Sequence, residues 1–306
     1  MSPGLFAMFT DTLMEATGQK KDVFQNLLLI WAHRNLRDFP WRRLGRTPYE
    51  VLVAELLLKR TTATSAARVY EDFLQRFPSL QAIENGSEEQ LAHVLSKVGL
   101  QWQRAKAIKE LAKYLNEVEG GEAPSDLDRL LSVPGLGGYS ARAILSFGFG
   151  ISSAVVDTNV ERILSRVFKN VLPRKPSQRL VQGLAGSLLP DESHRAYNLA
   201  LLDLGALICR YIDPLCEKCP LGSICDYCYQ NRLKSIKEEP SRYETAIGGK
   251  LRRMRQEKGI GLAKLAALSG VSKLTIIRIE SGKTSPKPET IGKLAVALKV
   301  EPDQLQ

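Results

Sequence analysis

The sequence predicts an all-α protein, and three observations carry that prediction. Apolar residues recur at helical spacing over long stretches, as in DVFQNLLLIWAHRNL at residues 22–36 and SHRAYNLALLDLGALIC at 193–209. No stretch of useful length alternates apolar with polar residues, the pattern of a half-buried strand. Proline and glycine stop the helical segments at Pro40, Gly99 and Pro134. With 306 residues, 44% hydrophobic and 25% charged, the chain has the make-up of a globular protein large enough for two or three cores. No apolar run approaches the ~20 residues that span a bilayer. The N-terminal MSPGLFAMFTDTLMEATGQKK has no basic region leading an apolar one, so a cytoplasmic location without a signal peptide is expected.

The elements follow in order. Residues 22–36 form a helix that Pro40 ends, within Phe39-Pro40-Trp41-Arg42. From Pro48 a long helical pattern runs through PYEVLVAELLLKRTTATSAARVYEDFLQRF. Glu55 stands there among Val51, Leu52, Val53, Leu56, Leu57 and Leu58. A carboxylate in such company is paired, functional, or on the wet side of its helix, because burying a lone charge is costly. Lys59-Arg60-Thr61-Thr62 then supplies two cations and two hydroxyls, which suit phosphate and equally a solvated helix end. Residues 88–117 read as two helices broken at Gly99-Leu100-Gln101-Trp102, and Gly120, Gly121 and Pro124 mark the next loop.

Residues 130–162 carry the densest chemistry. A helical segment with Leu130, Leu131 and Val133 stops at Pro134, Gly135-Leu136-Gly137-Gly138 makes a turn, and Ile144 and Leu145 lie on a second helix. Two helices joined by such a hairpin aim unpaired backbone N–H groups at one point, which favours an anion such as phosphate. About twenty residues further on, Asp157 opens Asp-Thr-Asn-Val, as a helix cap or as a carboxylate facing whatever the hairpin holds.

All five cysteines lie between 209 and 228, and Cys209, Cys216, Cys219 and Cys225 are spaced C-x6-C-x2-C-x5-C. Without a secretion signal, metal binding is favoured over disulfides. The spacing alone suits zinc or a [4Fe–4S] cluster, since four thiolates serve both. Cys228 falls outside the pattern and reads as a free thiol. The net charge of +10 and pI near 9.4 point to a polyanionic partner. Residues 245–306 concentrate that excess, with 12 Lys and Arg against 5 Asp and Glu.

Val133-Pro134-Gly135-Leu136-Gly137-Gly138-Tyr139 followed by Val156-Asp157-Thr158-Asn159 resembles the helix–hairpin–helix and catalytic Asp of base-excision DNA glycosylases, the endonuclease III superfamily. The resemblance covers roughly residues 22–228. It implies a two-lobed body, with a six-helix lobe over about 45–155 and a second lobe from 1–44 and 156–228. It also implies that Cys209, Cys216, Cys219 and Cys225 hold a [4Fe–4S] cluster that organises a DNA-contacting loop.

Excision breaks an N-glycosidic bond as positive charge develops on the sugar, and an ionised carboxylate beside it is stabilising. The resemblance gives that role to Asp157, places Glu55 against the flipped base and makes Tyr139 a wall of the same pocket. Arg60 and Leu100 fill the gap that the extruded nucleotide leaves. Lys59, Thr61, Gly135, Gly137, Gly138 and Ser140 are the remaining expected DNA contacts.

Bifunctional members attack the sugar with a Lys that follows the hairpin. Tyr139 stands at that position, and no Lys occurs between Lys113 and Lys169. Together with Phe39-Pro40-Trp41-Arg42, Ala54 to Thr62 and Asn198 to Asp203, Tyr139 makes the chain most similar to thymine–guanine mismatch glycosylases. The resemblance therefore implies a monofunctional, nucleoid-associated enzyme; the sequence shows no dimer seam, which favours a monomer but leaves the oligomeric state open. Such an enzyme would act on double-stranded DNA containing a mismatch or damaged base, removing thymine or uracil opposite guanine. Adenine glycosylases acting opposite oxidised guanine share Trp41-Arg42 and Glu55 but usually add a β-rich C-terminal domain, and nothing strand-like follows Cys228. A glycosylase for another modified base, or a non-catalytic regulator, are the other readings.

Residues 229–244 are polar and read as a linker. Residues 245–306 resemble the phage-repressor helix-turn-helix domain. Helices are expected at Leu251–Arg255, Leu262–Leu268, Ser272–Glu280 and Ile291–Leu298, with Ser269-Gly270-Val271 as the turn. Side chains at the start of the third helix face the major groove in such domains. Here these are Ser272, Lys273, Thr275 and Ile276, with Arg278 near a phosphate. Lys264 lies where that family often has a backbone-contacting Gln.

Overall fold

A computed structural model describes residues 3–237 and 247–305, and the regular structure among them is entirely helical. The chain divides into two compact units, residues 1–229 and 230–306.

The first unit opens with α1 (Pro3–Asn35) and continues through α2 (Pro48–Leu58), α3 (Ala63–Arg76), α4 (Leu80–Asn85), α5 (Glu88–Leu95), α6 (Gln101–Glu119), α7 (Leu127–Ser132) and α8 (Gly138–Ala143). The long pattern from Pro48 is therefore two helices. Thr47 starts α2 with a capping box to Glu50, and Pro48 supplies the fixed φ of a first turn. Arg60 then takes a φ of 52°, outside helical space, and the Thr62 hydroxyl caps α3 by accepting from Ser65 N. A local break thus overrides a continuous apolar pattern. Caps at Ser79, Ser87 and Asp126 set the other starts in this lobe. Its core gathers Leu52, Leu57, Tyr70, Phe73, Ile83, Leu95, Leu111, Leu130 and Ile144, all fully or almost fully buried.

The second lobe of this unit joins α1 to α9 (Thr158–Val167), α10 (Gln178–Ser187), α11 (His194–Leu207) and α12 (Asp226–Lys237). Phe24 of α1 packs 5.9 Å from Phe168 and 6.2 Å from Tyr197, ring centre to ring centre. Leu28, Val160, Leu164, Leu188 and Leu204 complete the core. A closer approach joins α9 and α11. A Cβ built on Gly205 would lie 2.4 Å from Asn159 Cβ, so only glycine fits there.

The segment expected as a linker is helical through Lys237, and residues 238–246 lie outside the described residues. The second unit holds α13 (Ile247–Glu257), α14 (Leu262–Ser269), α15 (Lys273–Glu280) and α16 (Pro288–Leu298). Gly270, with φ +67°, ends α14 in a left-handed cap, and the Ser272 hydroxyl starts α15 by accepting from Thr275 N at 3.1 Å. The core is built on Leu251, Leu265, Ile276, Ile279, Leu294 and Leu298. Arg255 donates to both carboxylate oxygens of Glu280, at 2.6 and 2.9 Å, a paired charge at the edge of that core.

Candidate active site

A cavity of about 260 Å³ is lined by Glu55 and Leu58 of α2, Tyr139 of α8, Asp157 and Asn159 at the start of α9, and Arg195, Leu199 and Leu202 of α11. Trp41 and Arg42 close another wall. All three residues expected to be catalytic thus share one pocket, supplied by both lobes of the first unit.

Asp157 is both things its position allowed. Its Oδ1 caps α9, accepting from Asn159 N and Val160 N at 2.8 Å each. Its Oδ2 accepts from Asn159 Nδ2 at 2.7 Å while the carboxylate faces the cavity. Asn159 is held in turn by Arg162, whose Nη2 donates to Asn159 Oδ1 at 2.7 Å and to Gly205 O at 2.9 Å. Arg162 Nε reaches the carbonyl of Cys209 at 2.7 Å. Asp157 and Asn159 belong to the motif the sequence offers, but Arg162, which joins them to α11, reads there as an ordinary exposed helix position.

Glu55 is 5% exposed and lies away from the wet side of its helix. The Ser140 hydroxyl donates to its Oε2 at 3.1 Å. Burial, with Asp157 adding, pushes the carboxyl up to about 7, against the Ser140 hydrogen bond and the charge of Lys59. Ser140 is corrected by this geometry. Expected on the DNA face, its hydroxyl is buried and committed to Glu55, because the first turn of α8 points it inward. Burial, then Glu55 and Asp157, hold the Tyr139 phenol well above its ordinary range.

The wall made by residues 37–42 is anchored on Asp203, which is fully buried. Arg37 N and Nε donate to it at 2.8 and 2.6 Å, and Arg42 Nη1 and Nη2 at 2.6 and 3.0 Å. Those guanidiniums hold its carboxyl below the usual range although burial alone would raise it. Phe39 stacks on Trp41 with centroids 5.0 Å apart, and Arg195 donates to Arg42 O at 2.7 Å.

Outside the pocket, a second cleft of about 420 Å³ brings Lys59, Arg60 and Leu100 beside Pro134 and Gly135 of the hairpin. Arg60 is exposed and Leu100 is 51% exposed. Lys59 Nζ donates to the Gly135 carbonyl. Gly135 has φ +80°, a conformation that leaves the hairpin to glycine, and Gly137 and Gly138 start α8. Thr61 differs from expectation. Its hydroxyl donates to Val98 O at 3.2 Å and accepts from Arg104 at 2.6 Å, so it serves the loop rather than DNA. Arg104 itself carries no motif that would single it out in the sequence.

Cys209 follows α11, Cys216 and Cys219 flank a 3-10 turn, and Cys225 precedes α12. All five cysteines are free thiols. Burial and then one another's charge push Cys216 up to about 11, and burial leads in pushing Cys219 up to about 12. Cys228 is buried and, after burial, is the leading neighbour that raises Cys216, so the supposed outlier lies beside the others. Arg166 Nη1 donates to Cys209 Sγ at 3.3 Å. Among the described residues, no three His, Cys, Asp or Glu side chains are close enough to hold one metal ion.

In the second unit Ser272, Lys273 and Arg278 are exposed and Thr275 half-buried. The Ser272 and Thr275 hydroxyls are 2.7 Å apart, engaged in the cap. Ile276 is corrected: it is 0% exposed, within the core, and Leu274 at 56% is the apolar side chain this helix presents outward.

A helical body with a Gly hairpin, a buried Glu and a capping Asp on one cavity defines a base-excision type of site. Residues 53–185 match the HhH-GPD superfamily base excision DNA repair protein family, and residues 251–305 the Helix-turn-helix family. The thymine/uracil-DNA glycosylase of Methanothermobacter thermautotrophicus is 34% identical over 214 residues, 70% of this chain and 96% of that one. The adenine DNA glycosylase of Buchnera aphidicola is 31% identical over 215 residues, 70% of this chain and 61% of that one. The solved structure of a thermostable thymine-DNA glycosylase superposes with a TM-score of 0.67 at 34% identity, covering 70% of this chain and 99% of that one. The chain belongs to the HhH-GPD superfamily and is a DNA glycosylase of base excision repair, with a helix-turn-helix domain at its C-terminus.

Proposed function

We propose that the protein is a monofunctional glycosylase that removes thymine or uracil mispaired with guanine, leaving an abasic site. The observation that carries this reading is the composition of the cavity. Glu55 and Asp157 line it together, and a tyrosine occupies the position of the amine that bifunctional members use. The resemblance to thymine/uracil and thymine-DNA glycosylases supports the choice of base.

The roles follow from the geometry. Asp157, fixed by Asn159 and the N-terminus of α9, holds a negative charge where positive charge develops on the deoxyribose. Glu55, with a pKa near 7, is partly protonated at neutral pH and donates its proton to the departing base, whose ring gathers negative charge as the bond breaks. Tyr139 packs against the base. The hairpin N–H groups and Lys59 grip a phosphate, and Arg60 and Leu100 fill the vacated stack.

We assign a [4Fe–4S] cluster to Cys209, Cys216, Cys219 and Cys225. The donor set is four soft thiols in one loop; burial raises Cys216 and Cys219 first, and the other cysteines add to it. Four thiolates would serve zinc as well, and the choice of the iron–sulfur cluster rests on the likeness to the endonuclease III superfamily. The cluster would tie the end of α11 to the start of α12 and so shape the loop between. Residues 245–306 add a second contact to duplex DNA through Lys273 and Arg278, with Ser272 and Thr275 setting the start of the helix that carries them.

The deciding experiment is base release from duplexes carrying every mismatch, with and without oxidised guanine. Release from T·G and U·G, with strand breaks appearing only after alkali and lost in Asp157→Asn, is the expected result. Release from every mismatch but those two, or only of adenine opposite oxidised guanine, overturns the proposal.

A further inference from the structure

We infer that Arg104 is a positioning residue that sets both wedge side chains at once, holding Arg60 and Leu100 in place with one guanidinium. The inference rests on the reading that these two side chains fill the gap in the stack. Both have left-handed backbone, φ 52° at Arg60 and 53° at Leu100, which a side-chain-bearing residue keeps only when its surroundings impose it. That angle is set by the orientation of the preceding peptide plane, whose oxygen belongs to Lys59 in one case and Gly99 in the other. Arg104 holds both oxygens. Its Nη2 donates to Lys59 O and its Nε to Gly99 O, the latter at 2.9 Å.

The remaining contacts lace the two loops together. Nη1 donates to Leu56 O at 3.2 Å, taking up a carbonyl near the end of α2, where a cation is favoured. Nη2 also donates to Thr61 Oγ1 at 2.6 Å, and Thr61 donates onward to Val98 O. Arg104 is 9% exposed, with its guanidinium taken up by these acceptors. Only a planar fork with several donors spans them, and lysine, a point cation, reaches one carbonyl at a time. Removing the guanidinium releases two strained peptide units together, and each wedge then loses its fixed direction.

The test uses full-length protein carrying Asp157→Asn, bound to a T·G duplex with 2-aminopurine beside the thymine, so that its fluorescence reports extrusion without excision. Arg60→Ala with Leu100→Ala defines the loss expected without wedges. Arg104→Met should lower the extruded fraction about as far as that pair does, on the order of tenfold, and a single wedge change should add little in the Arg104→Met background. Arg104→Lys should fall between. Thermal melting of each variant sets the temperature of the assay, since a purely structural role would lower Tm and leave extrusion by folded protein intact.

Extrusion by Arg104→Met within about threefold of the background, or wedge changes that keep their full separate effects within it, overturns the inference. Should Arg104→Met not fold, undiminished extrusion by Arg104→Lys overturns it equally. Undiminished extrusion by Arg60→Ala with Leu100→Ala sinks the wedge reading itself, and the inference with it.

Discussion

Glu55 shows how one residue links the fold to the reaction. Its carboxyl is raised because burial disfavours the charged form, so the folded protein holds a proton that the unfolded chain releases near its ordinary value. The associated stability is fully present below that ordinary value and is lost as pH rises through about 7. The parent protein should therefore lose Tm between pH 5 and pH 8, and Glu55→Gln should flatten that fall, as measured by melting at each pH. Base release should decline over the same upper limb, because the proton donor is disappearing. In Glu55→Gln that limb should vanish along with about 100-fold of the rate, a typical contribution from one positioned proton donor. Tyr139 offers a complementary change: Tyr139→Lys places an amine in a pocket whose burial favours its neutral, nucleophilic form. Strand cleavage without alkali, and trapping of the enzyme on DNA by borohydride, should then appear.

At the scale of elements, the approach of α9 to α11 governs Asp157, the carboxylate proposed to be catalytic. Asp157 is held by Asn159, Asn159 by Arg162, and Arg162 by the carbonyls of Gly205 and Cys209. Gly205 makes the approach possible. A methyl group there would press on Asn159 from 2.4 Å, with the Asn159 Cα 3.2 Å away, so the two helices would have to part. Gly205→Ala should cost about 1–3 kcal/mol of stability, the usual range for overpacking, read as a lower Tm. Base release by the folded variant should also fall, since small displacements of a reacting group are expensive. An alanine variant with parental Tm and rate would show that the helices separate freely.

The whole molecule combines a catalytic body with a basic helix-turn-helix unit, and the charge is unevenly shared. Residues 245–306 carry 12 Lys and Arg against 5 Asp and Glu, so the DNA contact proposed for them should be chiefly electrostatic and salt-dependent. A chain ending at residue 237 should release base under single-turnover conditions with saturating enzyme at nearly the parental rate. It should bind duplex DNA more weakly, with a log affinity that depends less steeply on log salt, by about one for each phosphate no longer neutralised. An unchanged slope would remove the tail from the DNA interface. Iron and acid-labile sulfide analysis of the same protein tests the cysteine loop, and Cys219→Ser should lose both.

Much of this was legible from the chain alone, for a physical reason. Helical periodicity, the Pro134 stop, the Gly135 turn, the cap at Asp157 and the cysteine spacing are local features, set by backbone preferences and by residues a few positions apart. The hairpin and the start of α9 accordingly appear where the sequence places them. What tertiary structure decided were matters of direction and distance. Ser140 turns inward to Glu55, Ile276 enters a core, Thr61 bonds within its own loop, and the helix from Pro48 breaks before Arg60, whose preceding carbonyl accepts from Arg104, 44 positions on. A guanidinium bonded to carbonyls of other segments leaves no periodic trace in a sequence, since any Arg in a helix reads the same until the chain around it has folded.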